Sequence, residues 1–306
     1  MSRALVTGAT GFVGGRLSGA LAERGWEVRA MVRDRSRARS LAEDGHELFE
    51  ADALDAGSLT GAGEGAEVAY YLLHSMGRGG GSGFAQREQQ AASNFARMAR
   101  NEGVKRVVYL GGLGDPHSEH LTSRAQTARV LAAEGPPLTY FRAAMVIGAG
   151  SESYRVVRYL VKRLPAMITP SWLRNRTQPI GVHDVLEYLA QGAEREDAAG
   201  REIQIGGPDV VTYGELMEMM ADVLEVRRRL QLPVPLLSPR LSSHWIGLVT
   251  PVDSGVAMPL IESLASDTVV TDPAPASLFD VEPMGALEAL REARREELAQ
   301  EVSAPS

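Results

Sequence analysis

The sequence predicts an α/β chain: a doubly wound parallel sheet followed by a smaller C-terminal lobe. Three observations carry this. A short apolar run at 4–7 enters a turn holding Gly8, Gly11 and Gly14 and opens into a helical pattern. Strand-length apolar runs then alternate with helix-length segments as far as residue 141, the rhythm of parallel strands joined by crossover helices. After Gly150 that rhythm breaks down. Residues 1–150 are therefore assigned to a nucleotide-binding domain, completed by parts of 178–206, and residues 151–306 to a mixed lobe.

Each element has a local reason. Residues 4–7 form the first strand and 12–24 a helix ended by Gly25, since glycine tolerates the left-handed backbone of a helix end. The β-branched alternation at 27–32 gives the second strand, with a short helix at 36–43 and a strand at 47–49 after it. Residues 66–73 read as a buried fourth strand, and 84–102 as a long helix with Gly103 beyond its end. A fifth strand at 105–110, a helix at 118–134 stopped by Pro136-Pro137, and a sixth strand at 138–141 complete the repeat. In the lobe, 154–164 is helical and 178–180 extended. Asp184 is expected to cap a helix at 185–193. Residues 202–205 form a strand. Thr212 and Glu215 form a capping box for a helix at 213–226. Five prolines interrupt the apolar segment 233–259, a charged helix at 286–301 closes the chain, and its last four residues are expected to fray.

Composition narrows the function. The net charge of −7 argues against a nucleic-acid partner, which needs a basic footprint. With no cysteine there is no disulfide, thiolate catalysis or cysteine–metal site. The six histidines show no paired ligand spacing, so no metal is expected. The first strand starts at once and no apolar run reaches the length of a membrane span, so a cytoplasmic protein is expected. Peripheral membrane contact and oligomeric state stay open.

The glycine spacing has a physical meaning. Gly8 permits the tight turn, Gly11 lets the backbone approach a pyrophosphate, and Gly14 lets helix and strand pack closely. The helix then points unpaired N–H groups and its positive dipole end at the phosphates.

These residues resemble the extended and atypical short-chain dehydrogenase/reductases, a Rossmann-fold family. The resemblance rests on Thr7-Gly8-Ala9-Thr10-Gly11-Phe12-Val13-Gly14, on Ala51-Asp52-Ala53-Leu54-Asp55, and on Gln178-Pro179-Ile180 leading to Asp184. Within that group the chain is most similar to the YbjT-like NAD(P)H-binding proteins, through 70–77, 109–114 and 247–252. Distant relatives of that branch include the 39-kDa accessory subunit of respiratory complex I. The resemblance implies that Gly8, Thr10, Gly11, Phe12, Val13 and Gly14 hold a pyrophosphate. It also implies that Asp52 and the Ala53 backbone meet the adenine, and that Leu73 lines the nicotinamide side. Asp52 could also be a turn residue after the third strand, but a strand end that faces the crevice favours the ligand contact, and His74 is either a ligand contact or a polar strand end. At the end of the second strand Arg33 precedes Asp34, with Arg35 and Arg37 following. A guanidinium suits the 2′-phosphate, so NADP(H) is favoured over NAD(H), although a solvated basic helix start reads the same way.

The glycine-rich loop 77–83 is a flap over the ligand or simply a flexible connection. Met145, Tyr154, Tyr159, Met167, Trp172 and Trp245 are candidates for an apolar substrate pocket, or ordinary core. The catalytic apparatus departs from the parent family. Gly111-Gly112 stands where its serine is expected, and the helix at 118–134 has neither its tyrosine nor its lysine. His120 and Arg124 are the only pair at the matching spacing, either a rewired acid or a solvated helix start. The leading expectation is an NAD(P)H-dependent oxidoreductase acting on a small apolar quinone, enone or carbonyl compound. The alternative is a non-catalytic NADP(H)-binding sensor or assembly factor. A sugar-nucleotide epimerase or dehydratase fits poorly without the tyrosine–lysine pair.

Overall fold

Ala4 and Val6 face one side of the first strand and Leu5 the other, and all three are fully buried. A strand buried on both faces belongs inside a parallel sheet covered by helices. The computed structural model describes residues 2–73, 83–114, 119–163, 166–169, 171–227, 230–233 and 266–303, with the backbone alone at 119–120, 163, 166–169, 171–172, 230–233 and 303.

The strands are β1 (Arg3–Thr7), β2 (Glu27–Val32), β3 (Glu47–Glu50), β4 (Ala66–Tyr71), β5 (Arg106–Gly112) and β6 (Leu138–Ala143), then the shorter β7 (Val146–Ile147), β8 (Ala166–Thr169), β9 (Arg176–Thr177), β10 (Ile180–Gly181), β11 (Glu202–Ile205), β12 (Val211–Thr212) and β13 (Leu230–Pro233). Seven of them form one parallel sheet in the order β11-β6-β5-β4-β1-β2-β3. Strand order therefore reverses between β1 and β4, the topological switch point where α/β sheets open a crevice at their carboxyl ends.

Helices α1 (Phe12–Glu23) and α6 (Val182–Glu194) cover one face, burying Leu17, Leu21, Val185 and Leu189. The short α2 (Arg39–Glu43) follows β2. Helices α3 (Phe84–Asn101) and α4 (Glu119–Glu134) cover the other face. There Phe95, Tyr71, Tyr109 and Tyr140 form a row of rings with successive centroids 5.0, 5.9 and 5.2 Å apart. A separate apolar cluster joins α5 (Glu152–Arg163), α7 (Tyr213–Val223) and α8 (Ala286–Ser303) through Tyr154, Leu160, Leu216, Met220 and Leu290.

Several boundaries differ from the expectation for identifiable reasons. The helix expected at 36–43 is a 3-10 turn at Arg35–Arg37 and then α2, because Asp34 caps the turn by accepting from Ser36 N at 2.8 Å. β4 stops at Tyr71, since Leu72 N leaves the ladder and donates to Thr7 Oγ1 at 3.0 Å. Asp184 is not the N-cap. The helix starts at Val182 with Gly181 as cap, and buried Asp184 lies inside its first turn. Its carboxylate accepts from Met284 N at 3.1 Å and from the Gly181 N–H, while burial raises its pKa. The Thr212–Glu215 capping box is present in both directions, but the helix ends at Val223, before a left-handed Glu225 (φ 54°). The segment 234–259 with Trp245, most of the loop 77–83, the 247–252 motif and residues 304–306 lie outside the described residues.

Candidate functional site

At the end of β1 the chain turns through Gly8, whose φ of 65° is left-handed. A Cβ there would lie 2.4 Å from Leu72 O, so β4 presses directly against the turn. Thr7 ties the same two strand ends together, accepting from Leu72 N and donating to Tyr70 O, each at 3.0 Å. Gly14 is needed for packing, because its Cβ would lie 2.3 Å from Gly8 O. Gly11 is different: exposed, it caps α1, and a Cβ would meet only Gly8 O at 3.1 Å. Among the described residues no side chain caps α1, and no acid lies in its first turn. The N–H groups of Phe12, Val13 and Gly14 thus have no helical partner and face an exposed rim formed by Thr10 and Gly11. Such an end attracts an anion by its unpaired donors and by its dipole.

Phe12 also braces this turn. Its ring would lie 2.7 Å from a Cβ on Gly148, and the Arg16 guanidinium stands over the ring, 4.7 Å from its centroid.

Beyond β2 the four charged residues divide their labour. Asp34 receives both the N–H and the hydroxyl of Ser36, at 2.8 and 2.6 Å, and these bonds hold its carboxyl below the usual range. Arg35 donates to Leu48 O at 3.1 Å, and Arg37 approaches Asp34 at 4.0 Å. Arg33 is exposed and makes no hydrogen bond or ion pair with the described residues.

The loop after β3 is held tightly. Asp52 Oδ1 accepts from Leu54 N at 2.9 Å in an Asx turn, and Ser58 Oγ accepts from Asp52 N at 3.0 Å. From α3, the buried Asn94 amide donates to Ala53 O at 2.9 Å and to Leu54 O at 3.2 Å. Asp52 is exposed and Ala53 buried beneath it. Asn94 carries no motif signal, only its oddity as a polar residue on an otherwise apolar helix face.

At the end of β5 a side chain at the missing serine's place would press on its neighbours. A Cβ on Gly111 would lie 2.7 Å from the Tyr140 ring, and one on Gly112 would lie 2.6 Å from Leu121 Cδ2. Arg124 reaches this place from α4: its Cδ and Nη1 flank the Gly112 Cβ position, each at 3.7 Å. Its Nε is buried without a hydrogen-bond partner among the described residues. Burial raises the pKa of both Tyr109 and Tyr140, opposed at Tyr109 by the charge of Arg124 and at Tyr140 by Arg142 and, less, by Arg124. Arg142 fastens the following loop by donating to Gly112 O at 3.1 Å and Gly114 O at 2.7 Å.

The structure therefore gathers Gly8, Thr10, Gly11, Phe12, Val13, Gly14, Arg33, Asp52, Ala53 and Leu73 on the carboxyl edge of β1 to β4, with Arg124 beside β5. His74, the His120 side chain, Trp245 and the side chains of Met167 and Trp172 lie outside the described residues. Of the two readings left open for the apolar-pocket set, Tyr154 takes that of ordinary core: it is fully buried in the α5–α7–α8 cluster. Among the described residues no acidic or histidine group is placed to hold a metal. No helix there is long and apolar enough to cross a membrane.

Known proteins share this fold. The profile of the NmrA-like family matches residues 1–180. The chain is 27% identical to the NADH dehydrogenase [ubiquinone] 1 alpha subcomplex subunit 9 of Arabidopsis thaliana mitochondria, over 88% of this chain and 71% of that protein. Its fold matches a Citrobacter triphenylmethane reductase solved with NADP(H), with TM-score 0.74, 17% identity, and 96% and 100% of the two chains covered. It also matches the NADPH-dependent quinone oxidoreductase of Escherichia coli solved with NADPH, with TM-score 0.73, 19% identity, and 94% and 98% covered. The chain belongs to the NmrA-like family, within the atypical short-chain dehydrogenase/reductases that its motifs resemble.

Proposed function

We propose that this protein binds NADP(H) and reduces a small apolar quinone, enone or carbonyl compound. The observation that carries the reading is the switch-point end of α1. Among the described residues its first-turn N–H groups have no partner, no acidic residue lies in that turn, and Arg33, at the end of the neighbouring strand, makes no ion pair. The residues fit the group. Gly11 leaves the approach to the turn open on its exposed side, where a dinucleotide pyrophosphate is accepted by backbone donors. Asp34, the carboxylate that would favour NAD(H), is already committed to Ser36 and faces Arg37. Arg33 is left to pair with a 2′-phosphate. NADP(H) supplies the hydride chemistry when bound. The similar solved proteins that act with NADP(H) or NADPH support this cofactor class. The substrate is assigned to the lobe 151–306, and the setting to the cytoplasm.

A second reading, a non-catalytic NADP(H)-binding sensor or assembly factor, is favoured by the end of β5. Tyr140 and Leu121 fill the space of a substrate-orienting serine, and a relative is a respiratory-complex subunit. Fold alone does not choose between the two.

The test is a fluorescence titration with NADPH and NADH, followed by turnover assays on 2-methyl-1,4-naphthoquinone, a cyclic enone and an aromatic aldehyde. Tighter NADPH binding with turnover of one acceptor is expected. Tight binding without turnover would establish the second reading, and failure to bind either dinucleotide would overturn both.

A further inference from the structure

Asn94 is 8% exposed on a face of α3 otherwise lined by Ala92, Phe95, Ala96, Met98 and Ala99. An amide buried among such neighbours is unfavourable unless every polar atom is bonded. Here they are. The two amide hydrogens go to the consecutive carbonyls of Ala53 and Leu54, and the oxygen accepts from Gln90 Nε2 at 2.8 Å. The target is the loop that resembles an adenine-binding turn. Ser58 holds that loop from its other end, its Oγ accepting from Asp52 N while its one proton has Asp52 O at 3.0 Å and Asp55 O at 2.8 Å as acceptors.

These bonds decide what the loop has left to offer. Asp52 Oδ1, Asp52 N–H, Leu54 N–H and the Ala53 carbonyl are all consumed inside the loop. Asp52 Oδ2 and the Ala53 N–H make no hydrogen bond with the described residues. One acceptor and one donor on adjacent residues match the amine and ring nitrogen of an adenine edge. They oppose hypoxanthine, whose carbonyl and ring N–H present the reverse pattern.

We infer that Asn94, with Ser58, is a positioning residue for base selection: it fixes the Ala51–Leu54 backbone so that Asp52 and Ala53 read the adenine edge of the dinucleotide. This rests on the nucleotide-binding reading above. A released loop would swing both groups, losing the distinction between bases before losing the binding of phosphates.

The test compares wild type, Asn94→Ala and Ser58→Ala, each titrated below its thermal midpoint with three probes. These are NADPH, reduced nicotinamide hypoxanthine dinucleotide phosphate, and reduced nicotinamide mononucleotide, which has no purine base. Wild type is expected to prefer NADPH over the hypoxanthine analogue by about tenfold or more. Both variants should lose most of that preference through weaker NADPH binding, with the mononucleotide unchanged. If Asn94→Ala does not fold, Ser58→Ala carries the test, because it frees the same loop from an exposed side. Equal losses for both dinucleotides would show a merely structural role and overturn the inference. So would a wild type that binds the two equally, which would leave the nucleotide reading intact. A wild type that binds neither dinucleotide would overturn that reading as well.

Discussion

Arg16 Nη2 lies 3.1 Å from the Glu296 carboxylate, joining the helix that opens the glycine turn to the last helix of the chain. The same nitrogen donates to Ala149 O at 2.9 Å, and Glu296 is hydrogen-bonded to His183 Nε2 at 2.8 Å. Three elements distant in sequence thus meet beside Phe12. Partial burial raises the Glu296 pKa, but the hydrogen bonds from His183 and Arg16 outweigh it and leave the carboxyl below the usual range. A depressed folded value stabilises above the unfolded value and is lost as pH falls through the folded one. Glu296→Gln should cost about 0.5–1 kcal/mol at neutral pH. The difference should shrink below about pH 4.5, as read by urea unfolding at stepped pH. A constant difference down to pH 3 would show that the ion pair contributes nothing.

The glycines of the turn should separate by function. Gly11→Val places a branched side chain on the exposed side of the turn and should weaken NADPH binding about tenfold or more while the protein folds. Gly14→Ala forces a Cβ to 2.3 Å from Gly8 O. It should lower stability by about 1–3 kcal/mol or more. Thermal melts of the two variants, with NADPH titrations of each, check both outcomes. Unchanged NADPH affinity in Gly11→Val would remove the basis for the pyrophosphate site.

Arg33 and Arg35 are two residues apart but differ in employment. Arg33→Glu should lower the ratio of NADPH to NADH affinity, with NADH binding held or improved, because a carboxylate repels the 2′-phosphate and suits the ribose hydroxyls. Arg35→Glu disturbs a contact to Leu48 O, and should move both affinities together. Parallel losses in Arg33→Glu would exclude it from cofactor choice.

Restoring the family's serine should fail. Gly111→Ser brings a Cβ within 2.7 Å of the Tyr140 ring, and overpacking of this kind costs about 1–3 kcal/mol. The double variant Gly111→Ser with Tyr140→Leu should recover part of that loss in a denaturant titration. A single variant as stable as wild type would mean that the ring moves aside freely.

The rewired acid is tested by His120→Ala and Arg124→Ala in the acceptor assays. Turnover lost in the variants with NADPH binding intact would support a rewired acid. Arg124 reaches the end of β5, so its loss should be felt even if His120 proves dispensable. Unchanged turnover in His120→Ala would remove that residue as the acid.

What the sequence determined by itself is what local chemistry controls. Alternation and apolar runs specified the strands and helices of the sheet, because burial on both faces leaves its own pattern in β1, β4 and β5. The glycine spacing marked the turn, since a left-handed backbone and a close helix–strand approach select that residue at Gly8 and Gly14. The Thr212–Glu215 box was legible for the same reason: both halves of the interaction lie within four residues. Tertiary structure decided the rest. That Asp34 is spent on a cap while Arg33 has no partner among the described residues depends on backbone geometry after β2. That Asn94 holds a loop 41 residues away, and that Tyr140 fills the space beside Gly111, depends on neighbouring strands and helices brought together by the sheet order. Asp184 was misplaced because the run Ile180–Gly181 pairs with Val146–Ile147, and that pairing delivers the chain into its helix earlier than capping preference alone would place it. Contacts across such separations leave no periodic trace in the sequence, since their partners are fixed only by packing.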